Sequence, residues 1–246
     1  MRYKEAEFSD DTCPMNGSFK PDPDYDAARA LNAPLATQLA HFAKAFADRV
    51  PPVGAAYQSL IDKLTRAGTG ATAPKEGDTL PPFLLPDIEG RLVSSAELLS
   101  NGPLVISFNR GNWCRFCWLE LAALGDIAGD IAAQGATIVS ITPETAPYNR
   151  EIKERLGLSF PFLTDIDNSY GLELGIAMPV SAEIKVLIQP RGLDLTVFQK
   201  NDAWFVPLPA IFIVDRDAIV RKAYVNPDYR ERFDPAPIPK ILAEIN

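Results

Sequence analysis

A chain of 246 residues with 47% apolar content can bury a sizeable core, as one large domain or as one domain with an extension. Its formal net charge of −8 disfavours nucleic acid and anionic membranes as partners. No apolar run reaches the roughly 18 residues of a transmembrane helix. The charged start MRYKEAEFSDD lacks the apolar centre of a signal peptide. Three cysteines are too few for a disulfide-stapled secreted scaffold, so a reducing cytoplasm is the expected compartment.

Residues 1–23 read as a flexible arm, with Pro14, Pro21, Pro23 and little periodicity. Cys13 lies in it, either as an incidental thiol or as a distant resolving partner for the later cysteines. Residues 24–70 read as a helical extension of two helices. Leu31, Leu35, Leu39, Phe42 and Phe46 recur at helical spacing behind an Asp24 or Asp26 cap, and Pro51-Pro52 ends the run. Tyr57, Leu60, Ile61 and Leu64 mark the second helix, and Gly68-Thr69-Gly70 closes it. The two helices could pack on the main domain or on a second subunit. His41, the single histidine, falls on the first of them and reads as a surface or packing residue.

A Gly/Ala/Thr/Pro-rich linker (68–79) leads into the main domain, assigned to 71–246. Phe83–Leu85 and Arg91–Val93 flank a turn at 87–90 and predict a short hairpin, followed by a brief helix capped by Ser94 or Ser95. The stretch LVISFNRGNWCRFCWLEL (104–121) is the centre of the chain. It reads as a buried strand, a polar turn and a helix start that carries Cys114-x-x-Cys117. A helix N-terminus, with its orphan N–H groups and positive dipole end, favours a thiolate over a thiol. Arg115 adds a positive charge, and positions three apart share a helix face, so the two sulfurs can meet. One thiolate can then attack an oxidant or a disulfide while the other resolves the product.

The helix runs to about residue 134, with Gly135 as its stop, and Ala136–Ile141 forms a second strand parallel to the first. Thr142-Pro143 opens the next helix, and Phe160–Leu163 is a third strand. A turn and small helix follow through Leu174, and residues 180–200 fit helix or strand equally. Ala210–Val214 and Ile219–Val225 form an antiparallel pair around a turn at 215–217, and 235–246 is a last helix. Pro209, directly before a buried strand, fits a cis bond in a turn. Glu120 reads either as a proton shuttle or as a solvated or salt-bridged helix residue.

These pieces together resemble a thioredoxin-like α/β fold, a central mixed sheet flanked by helices, here with the N-terminal helical extension. The segments GDTLPPFLLPDIEGRLVS (77–94), FNRGNWCRFCWLEL (108–121), PFLTDIDNSYGLELG (161–175) and LPAIFIVDRDAIVRKAYVNPDYRER (208–232) are similar to the peroxiredoxin-like branch of the alkyl hydroperoxide reductase/thiol-specific antioxidant family. The resemblance implies a thiol-dependent oxidoreductase acting through Cys114 and Cys117. Peroxide, a disulfide or another small molecule would be its substrate, a thioredoxin- or glutathione-like thiol its electron donor, and a homodimer its assembly. Arg110, Trp113, Arg115, Phe116 and Pro209 would shape the site, with no cofactor and no metal. The family motif P-x-x-x-T-x-x-C places Arg110 at its Pro, Cys114 at its Thr and Cys117 at its peroxidatic cysteine, and Pro209 stands where the family has an Arg. Thioredoxin logic makes Cys114 the attacking sulfur and peroxiredoxin logic makes it Cys117. Two other readings exist: a structural zinc site completed by Cys13 and His41, and a specialised enzyme or binding protein on the same fold that acts on a small molecule without efficient peroxidase activity.

Overall fold

The computed structural model describes residues 22–245. Most of the expected arm, with Cys13, lies outside them. Three helices open the described chain: α1 (Pro23–Ala30), α2 (Leu35–Arg49) and α3 (Pro51–Arg66). The expected two become three because Asn32, at φ 49°, and Pro34 break the first stretch. Asp22 and Pro23 belong to this helical start rather than to the arm, since Asp22 Oδ1 accepts the Asp24 and Tyr25 N–H groups at 3.2 and 3.4 Å. The linker is tied down, with Gly77 and Leu80 N–H donating to the Val220 and Ala218 carbonyls, each at 2.8 Å.

The antiparallel hairpin β1 (Leu84–Pro86) and β2 (Leu92–Ser94) leads to α4 (Ser95–Asn101), capped by Ser94. Then come β3 (Leu104–Phe108), α5 (Arg115–Asp126), α6 (Ala128–Ala133) and β4 (Thr137–Thr142). The helix expected through residue 134 is two helices, because Ile127 leaves helical backbone at φ −111°, ψ 9°. Next is α7 (Ala146–Arg155), which begins later than expected: Thr142 Oγ1 accepts the Glu144 N–H at 3.0 Å and holds 142–145 as a turn. The chain continues through β5 (Phe162–Thr164), α8 (Ser169–Glu173), β6 (Ala177–Pro179), α9 (Ala182–Ile188), α10 (Leu195–Gln199) and β7 (Phe205–Pro207). The ambiguous 180–200 segment is therefore helical, and β6 pairs with β7 in a small sheet that periodicity did not announce. The end is β8 (Ala210–Val214), β9 (Val220–Val225) and α11 (Ile238–Ile245).

The central sheet has the order β5-β4-β3-β8-β9, with β3, β4 and β5 parallel and β8 and β9 antiparallel. β3 is buried along its whole length, as its unbroken apolar run requires. On one face Val105, Ile138 and Ile211 pack with Leu121, Leu124 and Leu242. On the other, Ile106, Phe108 and Phe212 share a continuous apolar core with Phe42, Tyr57 and Leu60 of the helical extension. Edge strand β9 carries Arg221 and Lys222, charges that discourage further strand pairing. Among the described residues, no helix is long and apolar enough to cross a membrane.

Candidate active site

β3 delivers the chain to a turn, Asn109–Trp113, at the C-terminal end of the parallel strands, where α/β sheets place their sites. Asn109 Nδ2 donates to Ser140 Oγ at 3.0 Å and fastens the turn to β4. Gly111, at φ 128°, adopts backbone that side chains resist, and a Cβ there would collide with the Glu144 carboxyl. Cys114 is the N-cap residue of α5, and Cys117 lies in its first turn, its N–H bonded to the Cys114 carbonyl at 2.9 Å. Both cysteines are free thiols, 3% and 0% exposed.

Two donors converge on Cys117 Sγ, each at 3.4 Å: the Arg110 backbone N–H and Arg232 Nη2. Arg232 comes from the segment after β9. Its Nη1 forms a wholly buried ion pair with Glu120 Oε2, and its Nε donates to the Tyr229 carbonyl at 3.0 Å. The Arg110 side chain is also buried. Its guanidinium lies 4.3, 4.7 and 5.3 Å from the ring centres of Tyr229, Trp113 and Tyr57, and its Nη2 donates to the Tyr57 hydroxyl at 3.3 Å. Phe116 closes the same wall edge-on against Phe42 and Tyr229, at 4.9 and 5.1 Å.

These charges set the acidity of the dithiol. Burial opposes ionisation of Cys114 most strongly. The Cys117 thiol donating to it and the Arg110 and Arg232 guanidiniums together outweigh burial and bring Cys114 down to about 5. Cys117 moves well above the ordinary thiol range, because it is buried and faces the Cys114 thiolate. The pair therefore carries one negative charge and one shared proton near neutral pH. Burial pushes Glu120 up to about 7 against the pull of Arg232. It pushes Glu144 up to about 8, helped by the charge on the dithiol and opposed by the Asn112 N–H, which donates to Glu144 Oε2 at 2.6 Å.

Of the residues predicted to form the site, Cys114, Cys117, Arg110, Trp113 and Phe116 come together. Arg115 turns away: its Nε lies 3.4 Å from Asp22 Oδ2 and its guanidinium stacks 4.6 Å from the Trp118 ring. The guanidiniums acting on the sulfurs are those of Arg110 and Arg232. Pro209 precedes Ala210, which pairs with Phe108, so it borders the same end of β3. Its peptide bond is trans, as are all those among the described residues, so the expected cis turn is not formed; the preceding Leu208 N–H donates to the Ile176 carbonyl at 2.7 Å. Glu120 is the salt-bridged residue of the two readings, although buried rather than solvated. His41 is exposed on α2. No group of three or more His, Cys, Asp or Glu side chains among the described residues could hold a metal ion.

Sequence reasoning missed Arg232, Glu144, Tyr57 and Tyr229. Arg232 lay inside the stretch 208–232 that carried the family resemblance. Glu144 directly follows a parallel strand next to the one bearing the dithiol, and that position was the available signal.

The chain has relatives among known proteins. A thiol-disulfide oxidoreductase, ResA, of Geobacillus thermodenitrificans is 30% identical over 109 residues, 42% of this chain and 62% of its own. A chloroplastic peroxiredoxin Q of Sedum lineare is 29% identical over 101 residues, 41% of this chain and 54% of its own. The chain thus spans less than two thirds of either relative. The crystal structure of the peroxidoxin BcpB of Mycobacterium tuberculosis superposes with a TM-score of 0.55 at 21% identity, covering 70% of this chain and 99% of that one, and establishes the shared fold. The AhpC/TSA family model matches residues 77–223, from the linker through the hairpin, the dithiol helix and most of β9, and the chain belongs to that family.

Proposed function

We propose that the protein is a thiol-dependent peroxidase working through Cys114 and Cys117. The observation that carries this reading is the buried Cys114–Cys117 pair at the start of α5, with the Arg110 N–H and Arg232 Nη2 each 3.4 Å from Cys117 Sγ and surroundings that favour the Cys114 thiolate. Cys114 attacks the terminal oxygen of a hydroperoxide. The S–O bond forms, the O–O bond breaks, and the alkoxide leaves with one added proton as an alcohol. Cys117 then attacks the sulfenic sulfur, the S–S bond forms, and hydroxide leaves as water with the Cys117 proton. As Cys117 gives up its proton, Arg232 Nη2 and the Arg110 N–H are already in place to stabilise its developing charge.

Burial favours peroxide over protein disulfides, since a folded partner cannot reach sulfurs 3% and 0% exposed. A groove of about 290 Å3 between α2 and residues 228–232 has Arg232 in its wall and neither cysteine. The reductant is a small thiol of glutathione-like size or, after opening, a thioredoxin-like protein, in the reducing cytoplasm expected from the composition. A homodimer belongs to the same reading, although α2 and α3 use their apolar faces within their own chain, against α5 and α9; the mass in solution checks it.

The test is stopped-flow tryptophan fluorescence of the reduced protein mixed with hydrogen peroxide. Trp113 borders the dithiol, so oxidation should register. The expected second-order rate is well above that of a free thiol at pH 7. Below about pH 5 it falls tenfold per pH unit, because protonation removes the Cys114 thiolate. A rate no faster than a free thiol would transfer the assignment to a specialised small-molecule role on this fold.

A further inference from the structure

Arg110 and Arg232 beside the dithiol find their roles in the reading above; Glu144 does not. It is 0% exposed, and its Oε2 accepts the Asn112 N–H at 2.6 Å. Its Oε1 has no hydrogen-bond partner and lies against the Cα of Gly111, whose carbonyl accepts the Cys114 N–H at 3.1 Å. No cation pairs with it among the described residues. Glu120, by contrast, is in direct contact with Arg232. The site thus holds two buried carboxyls in opposite surroundings, one paired with a guanidinium and one without a cation among the described residues.

We propose that Glu144 is the charge-compensating acid of the dithiol, holding a proton while Cys114 is a thiolate and releasing it when the disulfide forms. The proposal rests on the reading that the dithiol cycles. Its physical basis is the count of buried charges. Arg232 is balanced by Glu120, and Arg110 has no carboxylate partner among the described residues, so its counter-charge is the thiolate. Disulfide formation deletes that charge and would strand a buried guanidinium, which is strongly unfavourable. Ionisation of Glu144 restores the balance. Coupling between the two sites is reciprocal: burial is the larger cause that pushes Glu144 up, negative charge on the dithiol, through Cys117, adds to it, and loss of that charge brings Glu144 part of the way down.

The groups facing Glu144 are consistent with this. Cys117 on α5 and Glu151 on α7 both disfavour its ionised form, Tyr148 on α7 is raised by it, and the Asn112 and Trp113 amides of the turn favour the carboxylate. The cycle balances. Cys114 thiolate, Cys117 thiol, Glu144 acid and ROOH give the disulfide, Glu144 carboxylate, ROH and water, with one negative charge on each side. Glu144 acts through the field of the cluster and the turn it braces, so it is a positioning residue for charge.

The test is the pH dependence of the Cys114–Cys117 reduction potential in the full chain carrying Cys13→Ser, with and without Glu144→Gln. It is measured in a dithiol redox buffer between about pH 6 and 7.5, above the Cys114 value of about 5 and below the Glu144 value of about 8; Glu120, at about 7, titrates inside this range in both proteins, so the difference between them carries the result. With Glu144 present, reduction takes up two protons, and its equilibrium constant falls a hundredfold per pH unit, about 59 mV. The amide introduced by Glu144→Gln has no proton to exchange, so reduction then takes up one, and the fall is tenfold, about 30 mV. A protonated-carboxyl infrared band should appear on reduction of the first protein and be missing from the second. A tenfold slope in both proteins overturns the proposal, and a hundredfold slope in both reassigns the proton to Glu120 and overturns it equally. Failure of any Cys114–Cys117 disulfide to form overturns the dithiol reading itself, and the Glu144 role with it.

Discussion

Cys114→Ser is expected to slow oxidation by hydrogen peroxide by about three orders of magnitude or more, since the hydroxyl that replaces the thiolate is un-ionised and a poor nucleophile. Cys117→Ser is expected to behave differently. Its hydroxyl still donates toward Cys114, so the first step should slow only about tenfold. The product should stop at a sulfenic acid, seen as one added oxygen by mass spectrometry, and turnover with a thiol donor should cease. The reverse pattern would make Cys117 the attacking sulfur. That assignment is the alternative the family motif suggests, and the two donors on its Sγ give it a structural basis. The proposal of Cys114 rests on its greater acidity and on its being the slightly less buried residue of the two.

The second large effect concerns stability. Arg232→Met leaves Glu120, 1% exposed, as a buried carboxyl without its cation, and removes a donor from Cys117. Breaking one half of such a pair costs about 3–5 kcal/mol when the remaining group stays charged. The size of the loss should depend on pH, with a definite sign. Burial raises the Glu120 carboxyl from an ordinary 4.5 to about 7 even with Arg232 present. A carboxyl raised in the folded state favours folding when protonated, and that advantage fades as pH climbs from the unfolded value through the folded one. Without Arg232 the folded value climbs further, so urea unfolding should show a small deficit near pH 5 that grows toward pH 8. The double variant Glu120→Gln/Arg232→Met should recover most of it. An equal deficit at both pH values, or a double variant no better than the single one, would remove the ion pair as the cause.

Much of the architecture was legible because it is local. The five apolar residues of β3, the helical spacing behind Cys117 and the strand after Gly135 specify a βαβ unit, and β3 and β4 are indeed parallel. The hairpins at 84–94 and 210–225 were likewise visible in their turns. What misled was backbone punctuation. Ile127 leaves the helix although it carries no breaker chemistry, and Thr142-Pro143 forms a side-chain-closed turn where a helix start was expected. The dithiol was equally clear, being three residues apart on one helix. Its electrostatic surroundings were not. Arg232 lies 115 residues from Cys117, Glu144 lies 32 from Asn112, and Tyr57 lies 53 from Arg110. Such meetings come from tertiary packing and leave no period or motif in a single sequence. Arg115, the cation nearest in sequence to the sulfurs, is diverted by Asp22 and Trp118, so proximity along the chain pointed to the wrong charge.

The segment running from Asn226 to Phe233 has a bearing on how the molecule comes into being. It supplies Tyr229 to the wall over Arg110 and Arg232 to Cys117, and it follows Glu120 by more than a hundred residues, the Arg232–Glu120 pair being 112 apart. On the ribosome Arg110 and the two cysteines therefore emerge long before Arg232, and the full pair of guanidiniums beside the sulfurs exists only once the later segment has docked. A cut between 226 and 231 would leave Arg232 and Cys117 on different fragments, so their contact would then rest on packing alone.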